Sequence, residues 1–359
     1  MSAESELLEK IRALSRPVKV MHICGTHERT ISRYGLRDVL PEEIEVLSGP
    51  GCPVCVTPEE EIDRAIALAE SGIIVTSFGD MMRVPGSNGS LMDARSRGCD
   101  VRMVYSIDDA MTIAEKEPES KVVFFAIGFE TTTPTNAAAI LRKPPENFSL
   151  LLTHKLTIPA IEALIDEIEV DAFIAPGHVC TIIGIHPFKQ FAEKGFPIIA
   201  AGFEADELLL SILMILEQLK TGEHKGEYKV ENAYPRAVKD EGNLRAQEMM
   251  NKVFEVTDSK WRGLGTIPDS GMIIRPEFSH YDASVIYADL IAEKMKDISY
   301  ENSLSSLCRC AEILKGKEKP DNCPLFSKKC TPSNPVGSCM VSQEGMCYNW
   351  FRYRGVDSA

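Results

Sequence analysis

Sulfur marks the positions where this sequence could do chemistry. Of its eleven cysteines, two form Cys52-Pro53-Val54-Cys55, one opens Cys24-Gly25-Thr26-His27-Glu28, and six fall between Cys308 and Cys347. A chain of 359 residues can bury a full core without covalent staples. Such local crowding therefore points to metal binding or thiol redox chemistry. The spacing of Cys52 and Cys55 suits a dithiol that closes to a disulfide or holds a soft metal. The preceding Gly49-Pro50-Gly51 carries few side chains, so a metal fragment or another sulfur can come close. Cys24 follows an apolar run and precedes a helix-like segment, a turn whose helix N-terminus favours a thiolate. His27 and Glu28 of the same turn are placed to orient that thiol or carry protons. The plain alternative for Cys24 is a small residue filling a tight corner. Cys24 and His27 could also complete a zinc site with Cys52 and Cys55, but three thiols on a cleft rim better suit an open redox or iron site.

The tail cysteines are spaced Cys323-x6-Cys330-x16-Cys347, with Cys308 or Cys310 upstream and Cys339 inside the last gap. Thiolates without interleaved His or carboxylate favour an iron–sulfur cluster or zinc. Zinc ligands usually pair at short spacings, which this tail lacks, so a [4Fe–4S] cluster is expected. Cys99, in a polar turn, has no nearby partner in sequence. Gly128-Phe129-Glu130-Thr131-Thr132-Thr133-Pro134 offers hydroxyls that bind an anion or cap a helix. Pro176-Gly177-His178-Val179-Cys180 carries a histidine suited to proton transfer or to a structural role. His154 and His186 are read as structural.

The elements that must position these residues follow from the hydrophobic pattern. Strand-length apolar runs occur at Val18–Ile23, Ile44–Leu47, Ile73–Ser77, Val101–Tyr105, Val122–Ile127, Leu150–Thr153, Ala172–Ala175 and Pro197–Ala201. Helical stretches such as Glu59–Ala69, Ile107–Glu115, Ile158–Ile168 and Asp206–Leu219 lie between them. Runs without alternation suit parallel strands covered on both faces. The expected class is α/β: two Rossmann-like, doubly wound parallel-sheet lobes plus a mainly helical and loop C-terminal iron–sulfur domain. Expected boundaries are 1–118, 119–222 and 223–359, with a break near Lys116–Ser120 and a linker at Gly222–Glu227. The reactive loops follow the first, second, fifth and seventh strands, where open α/β sheets collect ligands.

Composition narrows the function classes. The net charge is −14, without long runs of Lys or Arg. That excludes a nucleic-acid or anionic-lipid partner as the leading idea, because neutralising phosphates needs clustered cations. The start Met1-Ser2-Ala3-Glu4-Ser5-Glu6 does not resemble a signal peptide, and the longest apolar run, Leu208–Leu216, is too short for a bilayer span. A cytoplasmic protein is expected.

Together, these motifs and the tail spacing resemble the HypD family of [NiFe] hydrogenase formation proteins along essentially the whole chain. The resemblance implies a [4Fe–4S] cluster on Cys323, Cys330, Cys347 and one of Cys308 or Cys310, with Cys24, Cys52 and Cys55 as the functional thiols. It also implies partnership with a HypC-type chaperone, which helps hold an iron ion while the Fe(CN)2CO group is built. Cyanide would come from a HypE-type protein carrying a thiocyanate made with HypF, and the product would pass to the hydrogenase large subunit. On this reading Cys24 holds iron, Cys52 and Cys55 do the redox work, and His27 transfers a proton or makes a stabilising contact. Two other readings are a cluster-dependent protein disulfide reductase and a zinc-stabilised docking scaffold.

Overall fold

A computed structural model describes residues 3–222, 227–296, 298 and 307–354. Eleven strands run through it: β1 (Val18–His22), β2 (Ile44–Ser48), β3 (Ile74–Ser77), β4 (Val101–Met103), β5 (Val122–Gly128), β6 (Phe148–His154), β7 (Ala172–Pro176), β8 (Ile198–Ala201), β9 (Val230–Asn232), β10 (Phe254–Trp261) and β11 (Gly265–Ile274). The first eight coincide with the expected apolar runs to within a residue or two. Two sheets are wholly parallel, ordered β2-β1-β7-β8-β9 and β4-β3-β5-β6. Helices cover them, and the α/β expectation holds. Every residue of β5 is buried, which explains its unalternating Val-Val-Phe-Phe-Ala-Ile sequence.

The sheets do not divide the strands into consecutive fours. β4 and β5 flank the expected break near Lys116–Ser120, yet both belong to the second sheet. The chain lays down β1 and β2, leaves to build the whole of the second sheet, and returns for β7, β8 and β9. Apolar runs mark strands without specifying the order in which they pair, so this excursion left no trace in the pattern. The expected boundary at 222/223 also fails to separate layers, because β9 pairs with β8 in the first sheet. Of the expected linker, residues 223–226 lie outside the described residues.

The later region contains a sheet element that its sequence concealed. β10 and β11 form an antiparallel hairpin, irregular between Thr257 and Ser259, and β11 includes Pro268, Asp269 and Gly271. Those residue types normally argue against a strand. The hairpin is tied to the second sheet where Leu156 N donates to Ser270 O and Lys155 Nζ donates to Ser259 Oγ. Beyond it come short pieces: a helix Cys310–Leu314, tight turns at Pro320–Asn322 and Ser338–Met340, and a helix Met346–Tyr353. The last of these packs on the helix Gly25–Arg33, which begins beside Cys24. Among the described residues no helix is long and apolar enough to cross a membrane.

Candidate functional site

Cys24 ends the first strand's extended backbone and caps the helix Gly25–Arg33. The loop after β2 lies directly against it, for Gly25 N donates to Gly51 O at 3.0 Å. A Cβ at Gly51 would collide with the backbone of Ile23 and Cys24, so glycine is what permits this approach. One residue further on, Cys52 caps the short helix Pro53–Val56; its Sγ accepts from Cys55 N at 3.2 Å. Cys52 and Cys55 are joined as a disulfide, with Cα atoms 5.2 Å apart. The sequence-predicted thiol motifs therefore converge at the carboxyl ends of neighbouring strands.

The ionisation state of Cys24 differs from the expectation. Burial above all, followed by the nearby Glu344 carboxylate, pushes its thiol up to about 12. Backbone amides of His27 and Thr26 oppose this shift, as a helix start should, but desolvation outweighs them. Glu344 comes from the tail: it is buried, its own pKa is raised chiefly by burial, and Thr26 Oγ1 donates to its Oε1 at 3.0 Å. Its Cβ and main-chain oxygen crowd Gly25, where a larger residue would not fit.

Glu28 does not serve the Cys24 thiol. It anchors a buried network instead, receiving Arg37 Nη1 at 3.0 Å, Arg37 Nη2 at 2.6 Å and Ser32 Oγ at 2.6 Å. His22 Nε2 lies 3.0 Å from Glu28 Oε2, the oxygen that also receives Arg37 Nη2, and His22 Nδ1 lies 3.1 Å from Cys24 O. Burial would raise the Glu28 pKa, but the Arg37 charge and the bonds from His22 and Arg37 hold it at about 2. This network fixes the Cys24 backbone from beneath. His27 is also wholly buried, and neither ring nitrogen has a hydrogen-bond partner. Burial first, and then His22, lowers its pKa to about 3, so its imidazole is neutral. Its ring lies 5.3 Å from that of Phe203, which stacks on His178 at 3.8 Å.

The other two loops reach the same rim. Cys180, in the helix Gly177–Ile183 after β7, is buried; its pKa is raised first by desolvation and then by the neighbouring Glu130 and Cys24. Glu130, after β5, accepts from Thr157 N and Oγ1, both at 2.8 Å. The threonines beside it turn inward: Thr132 and Thr133 hydroxyls both donate to Phe129 O, and Thr133 also bonds His154. They lock His154 and the Phe129 turn, and neither hydroxyl makes a side-chain capping bond to the helix that follows.

The tail sulfurs form a second group, packed into one hydrophobic core with Cys52 and Cys55. Cys310, Cys323, Cys330, Cys339 and Cys347 are buried, whereas Cys308 is partly exposed. Thiol hydrogen bonds link Cys308 to Cys310, Cys310 to Cys339, and Cys339 to Cys347. Cys330 feels the charges of Cys308 and Cys323 and accepts from Val336 N at 3.3 Å. The Cys339 bond alone would lower Cys347, but burial and the neighbouring Cys310, Cys308 and Cys330 carry it up to about 11. Sequence spacing left Cys339 unassigned, and its thiol lies between those of Cys310 and Cys347. Among the described residues, no three His, Cys, Asp or Glu side chains are arranged to hold a single metal ion. Ser338 bridges the two sulfur groups: its Oγ donates to Cys55 O at 2.8 Å and lies 3.8 Å from Cys310 Sγ.

Comparison with known proteins gives this geometry a family. A family model described as "HypD: Hydrogenase formation hypA family" matches residues 2–354. The chain belongs to the HypD family. It is 48% identical over 357 residues to a putative hydrogenase expression/formation protein of Methanocaldococcus jannaschii, covering 98% of this chain and 95% of that one. It is 46% identical to the hydrogenase maturation factor HypD2 of Bradyrhizobium diazoefficiens, over 94% of this chain and 90% of the relative. Identity to the Escherichia coli hydrogenase maturation factor HypD is 42%, over 96% and 91% of the two chains. The HypD match thus covers both sulfur groups and the sheets between them.

Proposed function

We propose that this chain is a hydrogenase maturation factor that holds an iron ion with a HypC-type chaperone while cyanide and CO are attached, in the cytoplasm. The observation carrying the proposal is the abutment of the Cys24 turn on the loop of Cys52 and Cys55, with the tail sulfurs one serine away. Family membership and the relatives' names support hydrogenase maturation.

Cys24 is the anchor for the cargo iron. Its thiol is neutral in the metal-free state, so iron must displace a proton to bind it, as thiolate ligation generally requires. His27 offers a neutral ring with two unpartnered nitrogens, which suits a hydrogen bond to a ligand of the cargo better than service as a charged acid. Cys52 and Cys55 supply two electrons. With a thiocyanate carried by a HypE-type partner, two thiols become a disulfide while the S–CN bond breaks. The sulfur leaves as the partner's thiol and the carbon as hydrogen cyanide, the two protons coming from Cys52 and Cys55.

The tail's donor set fits a [4Fe–4S] cluster: several buried thiols, in mutual contact, without carboxylate or imidazole among them. Cys323, Cys330 and Cys347 would hold it. Of the two candidates for the fourth ligand, Cys308 is supported by its interaction with both Cys330 and Cys347. Such a cluster, when bound, supplies electrons one at a time.

The test is anaerobic co-purification with a HypC-type chaperone, followed by iron and sulfide analysis and infrared spectroscopy. We expect iron with sulfide, and stretches of iron-bound cyanide and CO once the HypE-type partner and a CO source are present. Zinc without iron, and no such stretches, would overturn the proposal in favour of a docking scaffold.

A further inference from the structure

The carboxyl end of β6 holds a buried cation that the sulfur chemistry does not use. Lys155 directly follows β6, and its N donates to Gly128 O at 2.9 Å, continuing the pairing with β5. Thr153 stands two residues earlier, so the two side chains leave the same face of the sheet. Lys155 is 3% exposed, a rare place for a lysine without an anionic partner. Its Nζ donates to Ser259 Oγ, a neutral group that takes one of its three hydrogens. Among the described residues no carboxylate forms an ion pair with it. The negative charge it feels is that of Glu61, which already holds Arg64 Nη1 at 2.9 and 3.2 Å. Burial, opposed by Glu61, lowers its pKa to about 8, which leaves the amine largely protonated at neutral pH. Thr153 Oγ1 is buried as well and has no hydrogen-bond partner among the described residues.

Both groups line a cavity of about 270 Å³ between β6, the helix Glu59–Glu70, the hairpin and the turn at Asp282. Its acidic groups are engaged elsewhere: Asp258 Oδ1 accepts from Asp269 N at 3.0 Å, and Asp282 Oδ1 from Ser284 N at 2.8 Å. Lys260, on the same wall, is turned to Glu60. We propose that this cavity binds a short-chain monocarboxylate, with one oxygen on Lys155 Nζ, the other on Thr153 Oγ1, and the alkyl stem toward Leu152, Met272 and Ile273. Charge selects a monoanion, because Lys155 is a single unpaired cation while Glu61, Asp258 and Asp282 would repel the second charge of a phosphate. Size selects a short stem, since pockets for drug-sized ligands run to roughly 300–1,000 Å³. The site involves none of the cysteines and stands or falls apart from the maturation reading.

The experiment is calorimetric titration of the full chain with sodium butyrate at constant ionic strength, with sodium chloride and sodium phosphate as controls. Unfolding temperature is followed in parallel. Butyrate should bind saturably and raise the unfolding temperature with its concentration, as any ligand of the folded state does. Lys155→Met should abolish saturable binding. Thr153→Val should weaken it about tenfold, the loss of one hydrogen bond. Without butyrate, Thr153→Val should melt no lower than the wild type, because the hydroxyl it removes has no partner to lose. An equal response to chloride would reduce the effect to general salt binding and overturn the proposal. Tighter binding of phosphate would overturn the choice of a monocarboxylate. Undiminished butyrate binding in Thr153→Val, or a lower unfolding temperature of that variant without ligand, would show that the hydroxyl is structural and overturn the site.

Discussion

The two sulfur groups are built by opposite means. Cys24, Cys52 and Cys180 stand at or near the starts of helices that follow strands of the parallel first sheet, so regular backbone geometry places them. The tail cysteines sit on short helices, tight turns and irregular chain, interrupted by Pro320, Pro324, Pro332 and Pro335. Their positions depend on packing against the second sheet and the hairpin. A site at the ends of strands keeps its shape without its cargo. A site made of turns needs an internal cross-link or a bound inorganic centre to hold it together. Each group therefore answers differently to damage.

The largest effect should separate them outright. Cys24→Ala is expected to abolish retention of the cargo iron in the chaperone complex while leaving the tail's cluster absorbance unchanged. Cys323→Ala should remove that absorbance and lower the unfolding temperature. Iron analysis, visible spectra and calorimetry on both variants check the contrast, and equal cargo iron in Cys24→Ala would break it.

A smaller but still large loss should come from the frame under Cys24. Arg37→Ala leaves the buried Glu28 carboxylate without its cation, which should cost about 3–5 kcal/mol of stability. Acid should act on the same frame. Glu28 has a folded pKa of about 2 against an ordinary 4.5, so its stabilisation is complete above 4.5 and disappears as pH falls toward 2. The buried neutral His27 and His154 have folded values of about 3 against 6.5, so their contribution is lost as pH falls from 6.5 toward 3. Unfolding temperature should be nearly level just above pH 6.5 and decline below it, with His27→Phe reducing the upper part of the decline. A profile unchanged by His27→Phe would show that this ring is not buried in its neutral form.

The mildest of these changes is Gly51→Ala. The added methyl group must displace the Ile23–Cys24 backbone, at a cost of about 1–3 kcal/mol. Because it pushes on the Cys24 turn itself, cargo-iron affinity should fall while cluster content stays constant. Unaltered affinity would mean that the two loops need not touch for function.

The same contrast explains what could be read from the sequence. Eight of the nine strands of the two parallel sheets, and the convergence of their loops, were legible because unbroken apolar runs and β-to-α alternation report local structure. Their assignment to sheets was not, since Val20 of β1 pairs with Ala172 of β7, a partnership decided by the whole fold. The hairpin was hidden by Pro268, Asp269 and Gly271 within β11. The elevated Cys24 pKa could not be read either, because Glu344 arrives from the far end of the chain. Cys339 was left unassigned because its surroundings follow from the turn Ser338–Met340 and from the thiols on either side, neither of which a spacing rule encodes.

The excursion of the chain between its first two strands and their later partners has a consequence for biosynthesis. Until residue 172 has left the ribosome, β1 lacks the neighbour that covers its second edge, and Glu344 does not yet exist to close over the Cys24 turn. Non-local pairing of this kind forms late. A nascent chain therefore carries its amino-terminal thiols in an unfinished setting, and the closed Cys24 turn is available only from completed molecules.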